Sequence, residues 1–229
     1  IFLLFASPLF LFFRDHKKTF EKKPSYVRAG IDRVRDTIRH MKNYRQVARF
    51  MVAFFIYNDG ILTVISFASM FAQQSLNFSL QEIIVLFAVV QGSGVVGSLV
   101  FGVVTDKIGP KKTITINLIL WLLVVTAAYF VQTKEMFFAI GIVAGSSLGA
   151  SQSASRSLMA MLTPKDREAE FFGFYDGLCG KASAVIGTFL FGLISYLTNN
   201  QRLSILSVGV FFVVGLILLQ RVDDTRATA

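Results

Sequence analysis

Two apolar stretches of this chain carry charged side chains that could bind a solute or move a proton. Asp59 follows Asn58 within the apolar run 47–72 and lies about 20 Å along a helix counted from Gln46. Lys181 stands in a later apolar run. A charge near the middle of a membrane is costly and usually faces a protein interior or a water-filled path. Asp59 is therefore a candidate proton carrier and Lys181 a candidate carboxylate contact, unless a neutral Asp59 only makes a packing hydrogen bond.

Arg156 and Asp176 form a second candidate pair. Each lies about 10 Å inside the same end of its apolar run, so the two side chains can meet across neighbouring helices. Such an ion pair could be purely architectural, or it could gate a solute path. Together with polar side chains on the other spans, these residues define a predicted substrate and proton pathway: Asn58, Asp59, Thr63, Gln91, Gln152, Arg156 and Lys181.

The sequence offers no recognisable catalytic or metal-binding arrangement. His16 and His40 fall in a basic segment, and the single cysteine, Cys179, stands in an apolar run, so no group has the spacing of metal ligands. No Gly-Lys-Ser or Gly-Lys-Thr loop for nucleotide phosphates is present, nor a convincing nucleophile and base. We therefore expect neither an enzyme nor a cofactor or metal.

The stretch GVVTDKIGPKK, residues 102–112, closes the second apolar run. We expect Gly102 to allow close helix approach, Asp106 to place an anion at the membrane edge and Gly109 to permit a turn. The spacing resembles the cytoplasmic loop signature of the major facilitator superfamily, although a generic polar hairpin would use similar residues. The candidate gating residues, with Asp176 from the ion pair, are Gly102, Asp106, Lys107, Gly109, Lys111, Lys112 and Asp176.

A more specific resemblance comes from two further stretches. GASQSASRSLMAMLTPKDREAEFFGFYD spans 149–176 and YNDGILT spans 57–63. Together they look like the vacuole-effluxer-like family of major facilitators, which is related to the autophagy-linked amino-acid exporters of fungal vacuoles. The resemblance implies a twelve-helix transporter of which this chain is the second half, and it makes amino acids candidate solutes for efflux.

Membrane spans are the elements that must position these residues. Hydrophobic residues make up 54% of the 229-residue chain and charged residues 16%, with a mean hydropathy of +0.60. A soluble domain carries about 25% charge. The net charge of +9 would also suit nucleic acid, but most basic residues stand in alternate gaps between apolar runs, where they set membrane topology. We therefore expect a lipid environment and no nucleic-acid partner.

Six full spans are predicted, and the charge of the gaps sets their orientation. The gaps 14–45, 106–112, 164–170 and 221–229 hold 18 of the 23 Lys and Arg residues. The opposite gaps hold only Lys134 and Arg202, so the first set is predicted to be cytoplasmic. Each run is near or above the length needed to cross the hydrocarbon core. The runs are 47–72, 80–105, 113–132, 136–163, 171–198 and 202–220.

Four regions are predicted along the chain. Residues 1–13 read as the end of a truncated transmembrane helix, 14–45 as a cytoplasmic basic linker, 46–221 as a six-helix transmembrane domain and 222–229 as a cytoplasmic tail. Within the linker, apolar residues recur at helical spacing from Val27 to Met41. This amphipathic helix could lie on an anionic membrane surface or pack on its own protein.

The predicted fold is an all-α integral membrane domain, the C-terminal six-helix half of a major facilitator fold with two three-helix repeats, 47–132 and 136–220. Asn58, Asp59 and Gly60 are predicted to kink or unwind the first span. The expected function is half of a secondary active transporter that moves a small polar solute by alternating access and works with a missing N-terminal half. The competing hypothesis is a non-transporting receptor or scaffold, a dry bundle with its charges paired. The expected location is the bacterial inner membrane.

Overall fold

A computed structural model describes residues 44–181 and 183–224. Its first half consists of four long helices joined by short turns, and they match the first four predicted spans. These helices are α1 (Arg45–Leu76), α2 (Leu80–Ile108), α3 (Pro110–Phe130) and α4 (Lys134–Leu162).

The second half is less regular than predicted. A 3₁₀ turn, Lys165–Arg167, leads into α5 (Glu168–Phe174) and then into a π-helical turn, Tyr175–Gly180. Three further helices follow: α6 (Ile186–Thr198), α7 (Gln201–Ser207) and α8 (Gly209–Gln220). In the described residues, five segments are long and apolar enough to cross a membrane, namely α1 to α4 and the 20-residue segment Gln201–Gln220.

The prediction of one continuous helix over 171–198 is wrong. Residues 183–185 form a turn instead of helix, and Ala184 adopts a left-handed φ of 81°. The 13-residue α6 is too short to span by itself. Non-helical backbone at membrane depth is tolerated only where protein or water satisfies its polar groups. The contacts that satisfy it here come from α1.

Local sequence explains several helix ends. Ser79 and Glu82 form a reciprocal capping box at the start of α2. The side chain of Thr133 caps α4, and that of Asn200 caps α7. Gly109, with a φ of +86°, ends α2, and Pro110 begins α3, so the expected turn at Gly109 is confirmed.

Small residues let α2 and α4 pack closely. A Cβ built on Gly149 would lie 2.1 Å from the carbonyl oxygen of Gly94, and one on Gly97 would lie 2.4 Å from that of Ser146. Neither position has room for a methyl group. The small residues of α2 and α4 therefore form a helix-packing surface.

Polar contacts secure both ends of the bundle. At one end, Lys111 donates to the carbonyl of Val222 over 2.6 Å, and Gln46 donates to Asp223 over 2.7 Å. At the other end, Lys134 lies 2.8 Å from Glu82, and Arg202 donates to the carbonyl of Tyr129 over 2.9 Å. Lys111 and Lys134 thus stand at opposite ends, as the charge pattern requires, and the cytoplasmic assignment of the Lys111 end stays a prediction.

Within the described residues, the eight helices run from Arg45 to Gln220, so α1 begins one residue before the predicted domain 46–221. The predicted helix end at 1–13 and the predicted amphipathic helix of the linker lie outside the described residues, as do the last five residues of the chain.

Candidate functional site

Helix α1 is continuous through the YNDG stretch, so unwinding at residues 58–60, one of the two predicted alternatives, is wrong. Gly60 lies where α8 crosses, and a Cβ there would come within 2.9 Å of Phe211. Its small size therefore serves packing. The side chains of Asn58 and Asp59 bond to another part of the chain and do not compete for the backbone of their own helix.

Asp59 caps the beginning of α6. Its carboxylate is fully buried, and the backbone N–H of Gly187 donates to its two oxygens over 3.0 and 3.1 Å. The first amides of a helix lack intrahelical acceptors and favour negative charge. Since Val185, at the N-cap position, supplies no side-chain cap, α1 provides it from 128 residues away.

Asn58 holds the residues just before α6. Its side-chain amide donates to the hydroxyl of Ser183 over 2.6 Å and to the carbonyl of Gly180 over 3.4 Å. The Ser183 hydroxyl donates in turn to Gly180 over 3.2 Å. We call the contacts of Asn58 and Asp59 with Gly180, Ser183 and Gly187 the α1–α6 contact.

Gly187 makes the α1–α6 contact possible. A Cβ on it would lie 2.2 Å from the hydroxyl oxygen of Thr63 and 2.9 Å from a carboxylate oxygen of Asp59. Thr63 is fully buried, and its hydroxyl has no hydrogen-bond partner among the described residues. Three residues of the predicted pathway, Asn58, Asp59 and Thr63, thus meet at one place.

The predicted Arg156–Asp176 pair is confirmed. The guanidinium nitrogen and carboxylate oxygen lie 3.6 Å apart, and the two side chains are 62% and 57% exposed. At this exposure the pair contributes only about 0–1 kcal/mol in water. Gln91, Gln152 and Lys181 are also exposed. The structure leaves these polar groups on the open surface of the described bundle, whereas Asp59 and Thr63 are buried.

Comparison of the sequence with known protein families shows which family the chain belongs to. The sequence model of the family described as vacuole effluxer Atg22 like matches residues 1–229. The chain belongs to this family. The resemblance to vacuole-effluxer-like proteins is therefore confirmed.

Individual relatives come from bacteria and fungi. The chain is 27% identical over 208 residues to the uncharacterized MFS-type transporter YxiO of Bacillus subtilis, covering 91% of the chain and 48% of that protein. It is 26% identical to autophagy-related protein 22 of Kluyveromyces lactis, covering 93% and 45% respectively. The protein of the same name from Candida glabrata is 27% identical, with 83% and 37% covered. The chain thus spans about half or less of the length of these relatives.

Family membership and the apolar helices together show an integral, multi-pass membrane protein. The family description and the name of the bacterial relative are those of transporters rather than enzymes, as the sequence predicted. Within the described residues, no three His, Cys, Asp or Glu side chains are grouped to hold a metal ion.

The loop motif at 102–112 divides into parts with different surroundings. The expected close approach at Gly102 is wrong for the described residues, since nothing there lies within 4 Å of an added Cβ. Lys111 caps the C-terminal end of α8 through the carbonyls of Val222 and Gln220. The remaining charged residues are exposed: Asp106, Lys107 and Lys112.

A row of buried serine side chains on one face of α4 was not predicted from the sequence. Ser155 shares a 2.7 Å hydrogen bond with Tyr57, and Ser151 accepts hydrogen bonds from Asn117 and Trp121. The available signal was the four-residue spacing of Ser147, Ser151 and Ser155, which places three hydroxyls on one helix face. This row joins α4 to α1 and α3.

Proposed function

We propose that the chain is the C-terminal half of a secondary active transporter that moves a small polar solute by alternating access. The supporting observation is the exposure of Arg156, on the apolar membrane helix α4, and of its partner Asp176, in the π-helical turn after α5. Charged groups within a membrane almost always face a bundle interior or a water-filled cavity. The exposed surface that carries them therefore suits an aqueous path shared with the other half of the protein.

The receptor or scaffold hypothesis is less well supported. It requires a dry bundle whose charges are buried and paired. Asp59 fits that description, but the side chains of Arg156 and Asp176 are more than half exposed. A solute path explains both the buried cap and the exposed charges.

We further propose roles for two charged groups. Lys181 is exposed and would contact a carboxylate or another anionic group of the solute, for which amino acids remain the leading candidates. Asp59 would couple a proton to transport. When ionised it accepts the backbone N–H of Gly187, whereas a protonated carboxyl offers a weaker acceptor. Proton uptake would therefore loosen the start of α6.

We assign gating to the loop motif and to Asp176. Lys111 binds the end of α8, and the adjacent Asp106 is exposed at the same membrane edge. An edge carboxylate can stabilise one alternating-access state over the other. The homologous protein of Bacillus subtilis makes the bacterial cell membrane a reasonable proposed location.

Flux through the intact parent protein in liposomes tests the proposal. Amino acids, other carboxylates and neutral sugars are supplied as labelled solutes, with and without a pH gradient. We expect flux of a polar solute that Lys181→Ala abolishes. Lys134→Ala is the matched control, because Lys134 pairs with Glu82 away from the path. Absence of flux for every solute would favour the receptor or scaffold hypothesis.

A further inference from the structure

The beginning of α6 is attached to the bundle differently from the other helices. Of the residues of α6, only Gly187 and Phe191 are buried, while Ile186 is 51% and Phe189 70% exposed. Its contacts with α1 include one aromatic pair, Phe191 stacked on Phe67 with ring centroids 3.9 Å apart, and the polar α1–α6 contact.

The neighbouring helix pairs are much more firmly joined. Where α1 crosses α8, Gly60 and Gly215 allow Phe211 and Tyr57 to interlock, and α2 and α4 interlock through their glycines. Close-packed apolar surfaces of this kind resist separation because every displaced atom loses its neighbours. Hydrogen bonds are different, because water can replace them.

We infer that Asn58 and Asp59 are positioning residues that dock the start of α6 onto α1 in one transport state and release it in the other. The inference rests on the proposed alternating-access function. The docked state is the one in the structure, with Asp59 bonded to Gly187 and Asn58 to Ser183.

Two features make this docking an all-or-none contact. Gly187 approaches Thr63 so closely that no further atom fits between them, so partial separation would leave gaps that neither side fills. The amide of Gly187 donates to both oxygens of the Asp59 carboxylate, so one side chain holds the start of α6. Once released, this amide needs water, which the proposed solute path supplies.

A reversible cross-link tests the inference in the intact protein. Asn58→Cys and Ser183→Cys are introduced together in a background without other cysteines. The side chains they replace are within 2.6 Å of each other, so oxidation should join the new thiols. We expect oxidation to lower flux at least about tenfold, and a reductant to restore the level of the same unoxidised sample, because a transporter held in one state cannot complete its cycle.

The matched control is Gln46→Cys with Asp223→Cys, which joins α1 to the end of α8 where the two side chains are already hydrogen-bonded at 2.7 Å. This cross-link should leave flux unchanged. Unchanged flux in the cross-linked 58–183 pair would overturn the inference while leaving the transport proposal intact. Failure of that pair to cross-link, or equal inhibition by the control pair, would overturn it as well.

A second measurement avoids substitutions at Asn58 altogether. Cys179 is 8% exposed in the π-helical turn before α6. Its alkylation rate in the unsubstituted protein, read from the labelled peptide, should rise or fall severalfold when solute is added. A rate that solute leaves unchanged, in protein shown to transport that solute, would also overturn the inference.

Discussion

Replacement of Gly187 by alanine is the sharpest test of the packing between α1 and α6. The added methyl group would lie 2.2 Å from the Thr63 hydroxyl oxygen and 2.9 Å from Asp59. Both neighbours are fully buried and cannot move aside freely. Overpacking of this kind costs about 1–3 kcal/mol. We therefore expect Gly187→Ala to lower the free energy of unfolding by about that amount.

Gly192→Ala is the matched control on the same helix, because an added Cβ there meets nothing within 4 Å. It should be neutral, or stabilising by about 0.5–1 kcal/mol, since alanine is the better helix former. The double variant Gly187→Ala with Thr63→Ala should recover part of the lost stability, because the smaller side chain removes the nearest obstacle.

A thiol-reactive dye provides the assay, since Cys179 is buried in the native protein and reacts on unfolding. The variants are compared by apparent melting temperature in one detergent. If Gly187→Ala has the same apparent melting temperature as Gly192→Ala, the close approach of Gly187 to Thr63 is refuted. If adding Thr63→Ala to Gly187→Ala does not raise the melting temperature, Thr63 is not the obstacle.

Three further predictions concern transport and topology. Asp59→Asn should retain solute exchange in liposomes but lose solute accumulation driven by a pH gradient. Wild-type accumulation in this variant would mean that Asp59 only caps a helix and carries no proton. Asp106→Ala should slow flux at normal expression, and unchanged kinetics in both directions would make its loop a simple turn. In a Cys179→Ala background, a cysteine replacing Lys134 should react with an impermeant reagent from outside and one replacing Lys111 only from the cytoplasm; the reverse result would contradict the predicted orientation.

The long helices could be predicted because their signals are local. Apolar runs of sufficient length, the Ser79–Glu82 capping box and the Gly109–Pro110 turn all act within a few residues. The charge pattern likewise placed Lys111 and Lys134 at opposite ends. Each of these features follows from neighbouring residues and the thickness of the membrane.

The interruption before α6 could not be predicted in the same way. The apolar composition of residues 171–198 favours one continuous helix. The carboxylate that accepts the Gly187 amide belongs to Asp59, which lies 128 residues away from it in the sequence. The sequence did identify Asn58 and Asp59 as unusual, but assigned the break to their own helix. Pairing Asp59 with Gly187 requires the fold, because neither residue type specifies the other.

The long separation of Asp59 from its partner also affects how the chain is made. At a synthesis rate of about 5–20 residues per second, Gly187 leaves the ribosome roughly 6–26 seconds after Asp59. During that interval α1 carries a carboxyl group that costs about 3 kcal/mol to place at the membrane centre. We therefore expect α1 to wait beside the insertion machinery, partly hydrated, and to enter the lipid fully only when α6 arrives.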